Sequence, residues 1–287
     1  SGGNGRSIFI GSPNPEYTGY YTLEAGKLIC TDLIGPRFTN PQYISTNFFN
    51  WTGGLLSCRT FEARLLVGGT LTNAGGIFAP GDIGLAASTT VNGGYYVASS
   101  NAVLAIDLGG TMPANQAAGV VGVAGAYDNV RAEDAWLAGR LEVRFMDGFE
   151  ATVTALDSFT ILTTSPTHLS LHGTFDNVGT NGRVNVVNFP NFSFRVTIND
   201  ASVVLDDFSG PPPQLAIRPE PMTPGLVTVS WATNAVGFVL QSAPRADAAP
   251  NDWADIPPEL IFQNGALNEY FEFVEGTSGA FFRLRKN

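Results

Sequence analysis

Thr22-Leu-Glu-Ala-Gly-Lys-Leu-Ile-Cys-Thr-Asp-Leu33 aligns with Asn50-Trp-Thr-Gly-Gly-Leu-Leu-Ser-Cys-Arg-Thr-Phe61 at an offset of 28 residues. Each copy is a glycine turn followed by a strand in which apolar and polar residues alternate, the period of a β-strand with one buried face. The repeat predicts successive strands that stack one above another. The matched positions are Gly26 with Gly54, Leu28 with Leu56 and Cys30 with Cys58.

Further copies of this unit follow along the chain. Gly68-Gly-Thr-Leu-Thr-Asn73 comes 15 residues later and places Leu71 over Leu56, and a looser copy begins at Gly93. Repeats at intervals of about 15 to 30 residues are what a β-solenoid needs, since each coil buries its hydrophobic stripe only when the next coil stacks on it. We expect Leu28, Leu56 and Leu71 to form one inward ladder. An antiparallel sandwich stays open as the alternative, because glycine turns also mark hairpins.

Composition predicts an all-β chain. The 287 residues include 33 Gly, 18 Pro, 20 Phe and 8 Tyr, and only 14% are charged, against a usual share of about 25%. Many turn-formers and few charges are typical of short strands joined by tight corners. No segment predicts a convincing helix. Alternating strands are expected at residues 102–108, 141–145, 158–162, 184–187, 192–198 and 202–205.

Charge and hydropathy exclude two classes of partner. The formal net charge is −10 with a pI near 4.6. Such a chain repels phosphate backbones and anionic lipid, so no nucleic acid and no membrane-surface partner is predicted. The longest apolar run, around residues 117–126, is about half the length of a spanning helix, so no membrane insertion is expected.

A proline-rich stretch marks the domain boundary. Ser209-Gly-Pro-Pro-Pro-Gln214 cannot hydrogen-bond as a central strand and favours an extended, semi-rigid form. We predict a β-solenoid domain over residues 1–208, a linker over 209–215 and a small β-sandwich over 216–287. The sandwich assignment depends on about six short alternating strands after the linker.

Three longer stretches resemble parts of known proteins. They are Gly69-Thr-Leu-Thr-Asn-Ala-Gly-Gly-Ile-Phe-Ala-Pro-Gly-Asp82, Leu137-Ala-Gly-Arg-Leu-Glu-Val-Arg-Phe-Met-Asp-Gly-Phe149 and Val229-Ser-Trp-Ala-Thr-Asn-Ala-Val-Gly-Phe-Val-Leu-Gln-Ser242. The first two resemble the last coils of autotransporter-passenger-like repeat proteins, which are large secreted bacterial β-solenoids. The third resembles the immunoglobulin- or fibronectin-like modules that end many such proteins. The resemblance implies a bacterial cell-surface protein, and its motifs carry no catalytic residue.

Cellular address is predicted from the same features. A low lysine content, a possible cysteine pair and the resemblance favour an extracellular or cell-surface location. The sequence begins at Ser1 without an initiating Met or a charged-then-apolar leader, which predicts a mature segment whose targeting signal was removed.

The two cysteines occupy equivalent positions of successive units. Stacked strands lie about 4.7 to 4.9 Å apart, which is within the Cα separation that a disulfide accepts. We therefore predict a Cys30–Cys58 disulfide, which would close a loop of about 28 residues and stabilise the fold by roughly 3 kcal/mol. Two stacked reduced thiols in the core stay open as the alternative.

Histidine and serine patterns predict no catalytic or metal site. His168 and His172 lie four residues apart. On an alternating strand they would share one face about 13 Å apart, too far to chelate one ion. No Gly-x-Ser-x-Gly elbow is present. We predict no cofactor.

Carboxylates are interpreted as solvated loop charges. Their sequence spacing cannot place any pair across a sugar ring at the separation that glycosidases need. Calcium stays open at Asp128 with Asn129 and at Asp206 with Asp207, although the spacing of an EF-hand loop is missing. The clusters are Asp128, Glu133 and Asp134, and Asp206 and Asp207.

Aromatic residues give candidates for stacking on sugars. Adjacent aromatic residues on a strand put one ring inward and one ring outward, so about half of them belong to the core. Our candidates for the outward set are Tyr20, Trp51 and Tyr95.

Terminal strands predict self-association. A stack of coils has two open ends whose unpaired N–H and C=O groups must be capped or will pair with another chain. We predict a non-catalytic extracellular structural protein whose subunits associate head to tail into a filament or surface layer. A carbohydrate-binding or adhesive protein and a polysaccharide-degrading β-helix enzyme stay open as alternatives. The candidate assembly residues are Ser7, Ile8, Phe9 and Ile10, and Phe281, Phe282 and Leu284.

Overall fold

The structure is a computed structural model that describes residues 8–9, 19–34, 47–63, 66–114, 124–165, 171–211, 213–233, 235, 237–274 and 279–286. Strand accounts for 55% of the chain, and the described residues include no α-helix. The all-β prediction is confirmed. Within these ranges no helix has the length and apolar character needed to cross a bilayer.

The strands are short, as expected of a chain rich in glycine and proline corners. Single turns of 3-10 helix cover Val67–Gly69, Phe149–Ala151, Pro250–Asp252 and Pro258–Leu260. In chain order the strands are β1 (Ile8–Phe9), β2 (Tyr20–Leu23), β3 (Lys27–Ile34), β4 (Phe48–Trp51), β5 (Leu55–Glu62), β6 (Thr70–Asn73), β7 (Ile77–Phe78), β8 (Ser88–Asn92), β9 (Tyr95–Ala98), β10 (Val103–Leu108), β11 (Met112–Pro113), β12 (Ala126–Tyr127), β13 (Asn129–Arg131), β14 (Asp134–Leu137), β15 (Arg140–Phe145), β16 (Phe159–Thr163), β17 (Leu171–Gly173), β18 (Arg183–Val186), β19 (Phe189–Asn199), β20 (Ser202–Ser209), β21 (Ala216–Pro219), β22 (Leu226–Ala232), β23 (Phe238–Ala243), β24 (Ala254–Asp255), β25 (Phe262–Asn264), β26 (Leu267–Phe273) and β27 (Phe281–Lys286).

The chain divides into two compact units. The first comprises Ser1–Phe149 and Leu156–Phe208, and the second comprises Glu150–Ala155 and Ser209–Asn287. In the first unit, one sheet is a stack of six parallel strands in the order β17-β14-β9-β6-β4-β2. We call it the six-stranded sheet.

The other sheet of the first unit contains two parallel ladders that share β3 and β5. The first half of β5 continues into β7, β10, β15 and β18, and its second half continues into β8, β13 and β16. The chain visits the six-stranded sheet and the two ladders in turn, as β6, β7 and β8, then β9, β10 and β13, then β14, β15 and β16. This parallel pairing excludes the antiparallel-sandwich alternative for the first unit.

One register line of the large sheet corrects the predicted ladder. Leu28 pairs with Leu56 as predicted, and the line continues through Phe78, Leu104 and Leu141. The prediction for Leu71 was wrong, since Leu71 lies in the six-stranded sheet opposite Tyr96. An offset of 15 residues crosses from one sheet to the other, and the two-residue alternation of a strand is the same in both sheets.

Cys30 and Cys58 are paired in register across β3 and β5. Both are free thiols, so the predicted disulfide is wrong. Paired side chains of parallel strands project side by side about 4.8 Å apart, whereas the Cβ atoms of a disulfide converge to about 3.8 Å. Burial, reinforced by Asp32, raises the pKa of Cys30 to about 11, and burial also raises the pKa of Cys58.

Antiparallel strands join the two ladders after β16 and β18. β19 pairs antiparallel with β18, β20 pairs antiparallel with β16, and β19 and β20 are neighbours. Beneath them the ring of Phe145 lies 5.8 Å from those of both Phe194 and Phe208. Edge-to-face packing of this kind stabilises a buried aromatic cluster beyond its area alone.

The second unit contains two antiparallel sheets. Their orders are β21-β22-β26-β25 and β24-β23-β27. Val229, Trp231 and Tyr270 of the first sheet share one buried cluster with Leu240 of the second. This common core is what the alternation in the sequence after residue 216 predicts.

Candidate functional site

The outward side of the six-stranded sheet carries exposed rings. Alternate residues of its strands point inward and are buried, as Phe49, Leu71, Tyr96 and Ala135 are. The residues between them point outward, because successive side chains of a strand lie on opposite faces. We define the aromatic face as the exposed rings on this side, Tyr20, Phe48, Tyr95, Trp136 and His172.

These rings contact one another across the strands. Tyr20 and Phe48 are in register on β2 and β4, with ring centroids 5.0 Å apart and planes 5° from parallel. Tyr95 meets Trp136 edge-to-face at 5.6 Å, and Trp136 lies 5.1 Å from His172. The aromatic face therefore consists of two ring clusters, separated by β6.

Neutral polar side chains surround the rings. Thr22, Asn50 and Thr72 are exposed on this side of the sheet, and Thr70 is half-buried. Across these six strands the single Asp, Glu, Lys or Arg is Asp134, whose side chain is buried. The exposed chemistry of the face is thus aromatic, hydroxyl and amide, the combination that suits a neutral ligand with hydroxyl groups and apolar ring faces.

Trp51, a predicted sugar-stacking residue, belongs to the core. Its side chain is 1% exposed and meets Phe78 edge-to-face at 5.9 Å. The indole occupies the space beside Gly76, where a Cβ would lie 1.8 Å from Trp51 Nε1. The prediction was wrong because Trp51 is in phase with the buried Phe49 and two residues along the strand, whereas Phe48 takes the outward position.

The two other sugar-stacking candidates lie on the aromatic face. Tyr20 is 73% exposed and Tyr95 is 37% exposed. The sequence analysis missed Phe48, Trp136 and His172 as outward rings. The 28-residue offset was a usable signal for Phe48, because it aligns Phe48 with Tyr20.

The candidate assembly residues lie in two edge strands. Ile8 and Phe9 form β1 and pair with Leu33 and Ile34 of β3 in their own chain, while Ser7 and Ile10 lie outside the described residues. Phe282 and Leu284 of β27 pack against the core of the second unit. The exposed member of that set is Phe281.

The side chains considered for calcium are occupied by other bonds. Asp128 accepts a hydrogen bond from Ala87 N at 2.6 Å with Oδ1 and one from Asp107 N at 2.8 Å with Oδ2. Asn129 accepts from Ser88 Oγ and donates to Ala114 O. These contacts give Asp128 and Asn129 a role in fixing buried loops.

The second carboxylate pair is engaged by arginine. Asp206 forms a 2.7 Å ion pair with Arg195, and Asp207 forms a 2.8 Å ion pair with Arg183. Among the residues that the structure describes, no group of three or more His, Cys, Asp and Glu is arranged to hold a metal ion. His168, the predicted neighbour of His172, lies outside the described ranges.

Comparisons with known proteins leave the site to be interpreted from its own geometry. The resemblance to autotransporter-passenger-like proteins gains no support from them. A scan against protein-family models, a search of curated proteins and a search of solved structures each find no match to this chain.

Proposed function

We propose that residues 1–208 form a β-solenoid and that residues 216–287 form an immunoglobulin-like β-sandwich. The solenoid proposal is supported by the parallel ladders that the chain visits in turn. The sandwich proposal is supported by the two antiparallel sheets with a common core. Solenoids expose long flat faces that do not depend on loops for their shape, which suits the binding of extended ligands.

We infer that the chain is a non-catalytic structural protein of the cell surface that binds neutral polysaccharide through the aromatic face. The observation that carries this inference is the joint exposure of Tyr20, Phe48, Tyr95 and Trp136 on one sheet face with no exposed charge. The negative faces of aromatic rings attract the weakly positive C–H groups of a sugar ring, while hydroxyl and amide side chains bond its hydroxyls.

Affinity electrophoresis tests this function. The protein is run through native gels with and without soluble cellulose derivative, xylan, β-1,3-glucan or galactomannan. We expect retardation in at least one gel, and we expect Tyr95→Ala to reduce it. Phe273→Ala, which removes a ring that is 60% exposed in the second unit, is the matched control and should migrate as the wild type does.

The four gels also decide between the proposal and its alternatives. Wild-type migration that none of the four polysaccharides changes would overturn carbohydrate binding. Release of reducing ends from the retarding polysaccharide would replace the non-catalytic inference with the polysaccharide-degrading alternative.

Head-to-tail assembly is the second candidate function. It is favoured by two strands that each have one hydrogen-bonded neighbour among the described strands, β1 beside β3 and β27 beside β23. The free edge of a strand is a template for pairing with another chain. The exposed ring of Phe281 lies on β27.

Sedimentation velocity at several dilutions, with negative-stain electron microscopy, tests assembly. We expect larger species or fibres that grow with concentration, and we expect Phe281→Asp or removal of residues 1–11 to reduce them. Phe262→Asp introduces the same charge at an exposed ring of the other sheet and is the control. A single species at every dilution would refute assembly.

A further inference from the structure

The outward rings follow a row that crosses four neighbouring strands. Tyr20 on β2 pairs with Phe48 on β4, and Thr70 on β6 pairs with Tyr95 on β9. β6 lies between β4 and β9, and its pairing of Asn73 with Trp51 sets Thr70 against Phe48 by the same register. Thr70 is therefore the non-aromatic member of a row of outward rings.

The row has room for one more ring above Thr70. The centroids of Tyr20 and Phe48 are 5.0 Å apart, so one ring takes up about one strand spacing. Phe48 and Tyr95 are separated by two strand spacings, about 9.6 Å. The small side chain of Thr70 leaves the intermediate level without a ring.

We propose that this gap is a slot for a single pyranose ring, held between Phe48 and Tyr95 with Thr70 beneath it. The inference rests on the proposed carbohydrate function and names the position at which it acts. Trp136 meets the Tyr95 ring at 5.6 Å, and the Tyr20 ring stacks on Phe48, so each wall of the slot is supported from behind.

The chemistry of the slot selects a neutral sugar with equatorial hydroxyls. Such a ring presents apolar C–H groups on both faces, which two aromatic walls can contact together, and directs its hydroxyls outward around the rim. Thr70 donates its hydroxyl to Gly68 O at 3.0 Å, which leaves its oxygen lone pairs to accept a bond from a sugar hydroxyl. The exposed side chains of Asn50 and Thr72 offer further partners at the rim.

Filling the slot from the protein side separates binding from folding. Thr70→Phe places a ring at the empty level, which continues the row begun by Tyr20 and Phe48 and supports the strand. Thr70→Ile fills the slot in part with a side chain that strands favour. Thr70→Val keeps the shape of threonine and removes the hydroxyl, so it serves as the control for volume.

The probes are hexasaccharides cut from cellulose, xylan, β-1,3-glucan and galactomannan, titrated by calorimetry against each folded variant. We expect Thr70→Phe to weaken the hexasaccharide that binds the wild type by about tenfold or more, because both ring contacts are lost. Thr70→Ile should give a smaller loss, and Thr70→Val should stay within about threefold because it loses one hydroxyl contact. Circular dichroism and thermal unfolding establish that each variant is folded.

Two results are distinguished by this design. Wild-type protein that binds none of the four hexasaccharides overturns the proposed function and the slot together. Wild-type protein that binds, with Thr70→Phe and Thr70→Ile both within about twofold of it, overturns the slot and leaves the carbohydrate function standing.

Discussion

The main-chain N–H of Asp107 donates a 2.8 Å hydrogen bond to Oδ2 of Asp128, which ties two buried carboxyl groups together. Burial raises the pKa of both groups; hydrogen bonds from Gly84 to Asp107 and from Ala87 to Asp128 oppose the effect. The pKa of Asp128 is raised well above its usual range. Both carboxyl groups are therefore easier to bury protonated than ionised.

This pair predicts a pH-dependent term in stability. The folded-state pKa lies above the unfolded value, so the contribution of each group to folding is fully present below about pH 3.9 and is lost as pH rises through the folded pKa. Asp107→Asn removes one titration. We expect the free energy of unfolding of this variant, minus that of the wild type, to increase from pH 4 to pH 7 in urea denaturation. A difference that is constant with pH would contradict the pKa assignment.

Trp51 and Trp136 should respond oppositely to truncation. Trp51 is buried beside Gly76 and Phe78, so Trp51→Ala should lower the free energy of unfolding by about 3–5 kcal/mol. Trp136 is 39% exposed, so Trp136→Ala should cost only about 1 kcal/mol. Denaturant unfolding of both variants checks the assignment of core and surface, and equal losses would refute it.

The inward ladder should be sensitive to cavities along its length. Leu104 lies on the register line between Phe78 and Leu141 and is buried. Leu104→Ala should lower the free energy of unfolding by about 2–5 kcal/mol. Val103→Ala, at the half-buried neighbouring position, is the control and should cost about 1 kcal/mol. Similar losses at the two positions would contradict the inward placement of Leu104.

The cysteines should be detected as two thiols. Their raised pKa values and burial predict slow reaction with a disulfide reagent at pH 8 in the native state, because the thiolate is the reactive form. In guanidinium without reductant, we expect two equivalents of thiol per chain. No thiol under those conditions would restore the disulfide that the repeat predicted.

The repeat at 28 residues accounts for what could be predicted. It placed Cys30 on Cys58 and Leu28 on Leu56, and these are register pairs in the structure. It failed at Leu71, because strands of both sheets share the same two-residue alternation and differ only in which coil they belong to. Which sheet a strand joins depends on contacts that are remote in sequence.

The aromatic face was predicted in part for a similar reason. Tyr20 and Tyr95 were assigned outward and are exposed, but Trp51 was assigned to the wrong side. The inward or outward phase of a four-residue strand reverses with a shift of one residue, and the composition of Phe48–Trp51 is aromatic on both faces. Burial of the indole is decided by the space above Gly76, which the local sequence does not reveal.

The central claim is that the aromatic face binds neutral polysaccharide, and calorimetric titration of the double variant Phe48→Ala/Tyr95→Ala tests it most directly. The titrant is the polysaccharide that retards the wild-type protein, with Phe262→Ala/Phe273→Ala as the matched double variant in the second unit. The account predicts a loss of at least about tenfold in affinity for the first double variant and unchanged affinity for the second. Wild-type affinity in the Phe48→Ala/Tyr95→Ala protein, with its fold intact, would contradict it.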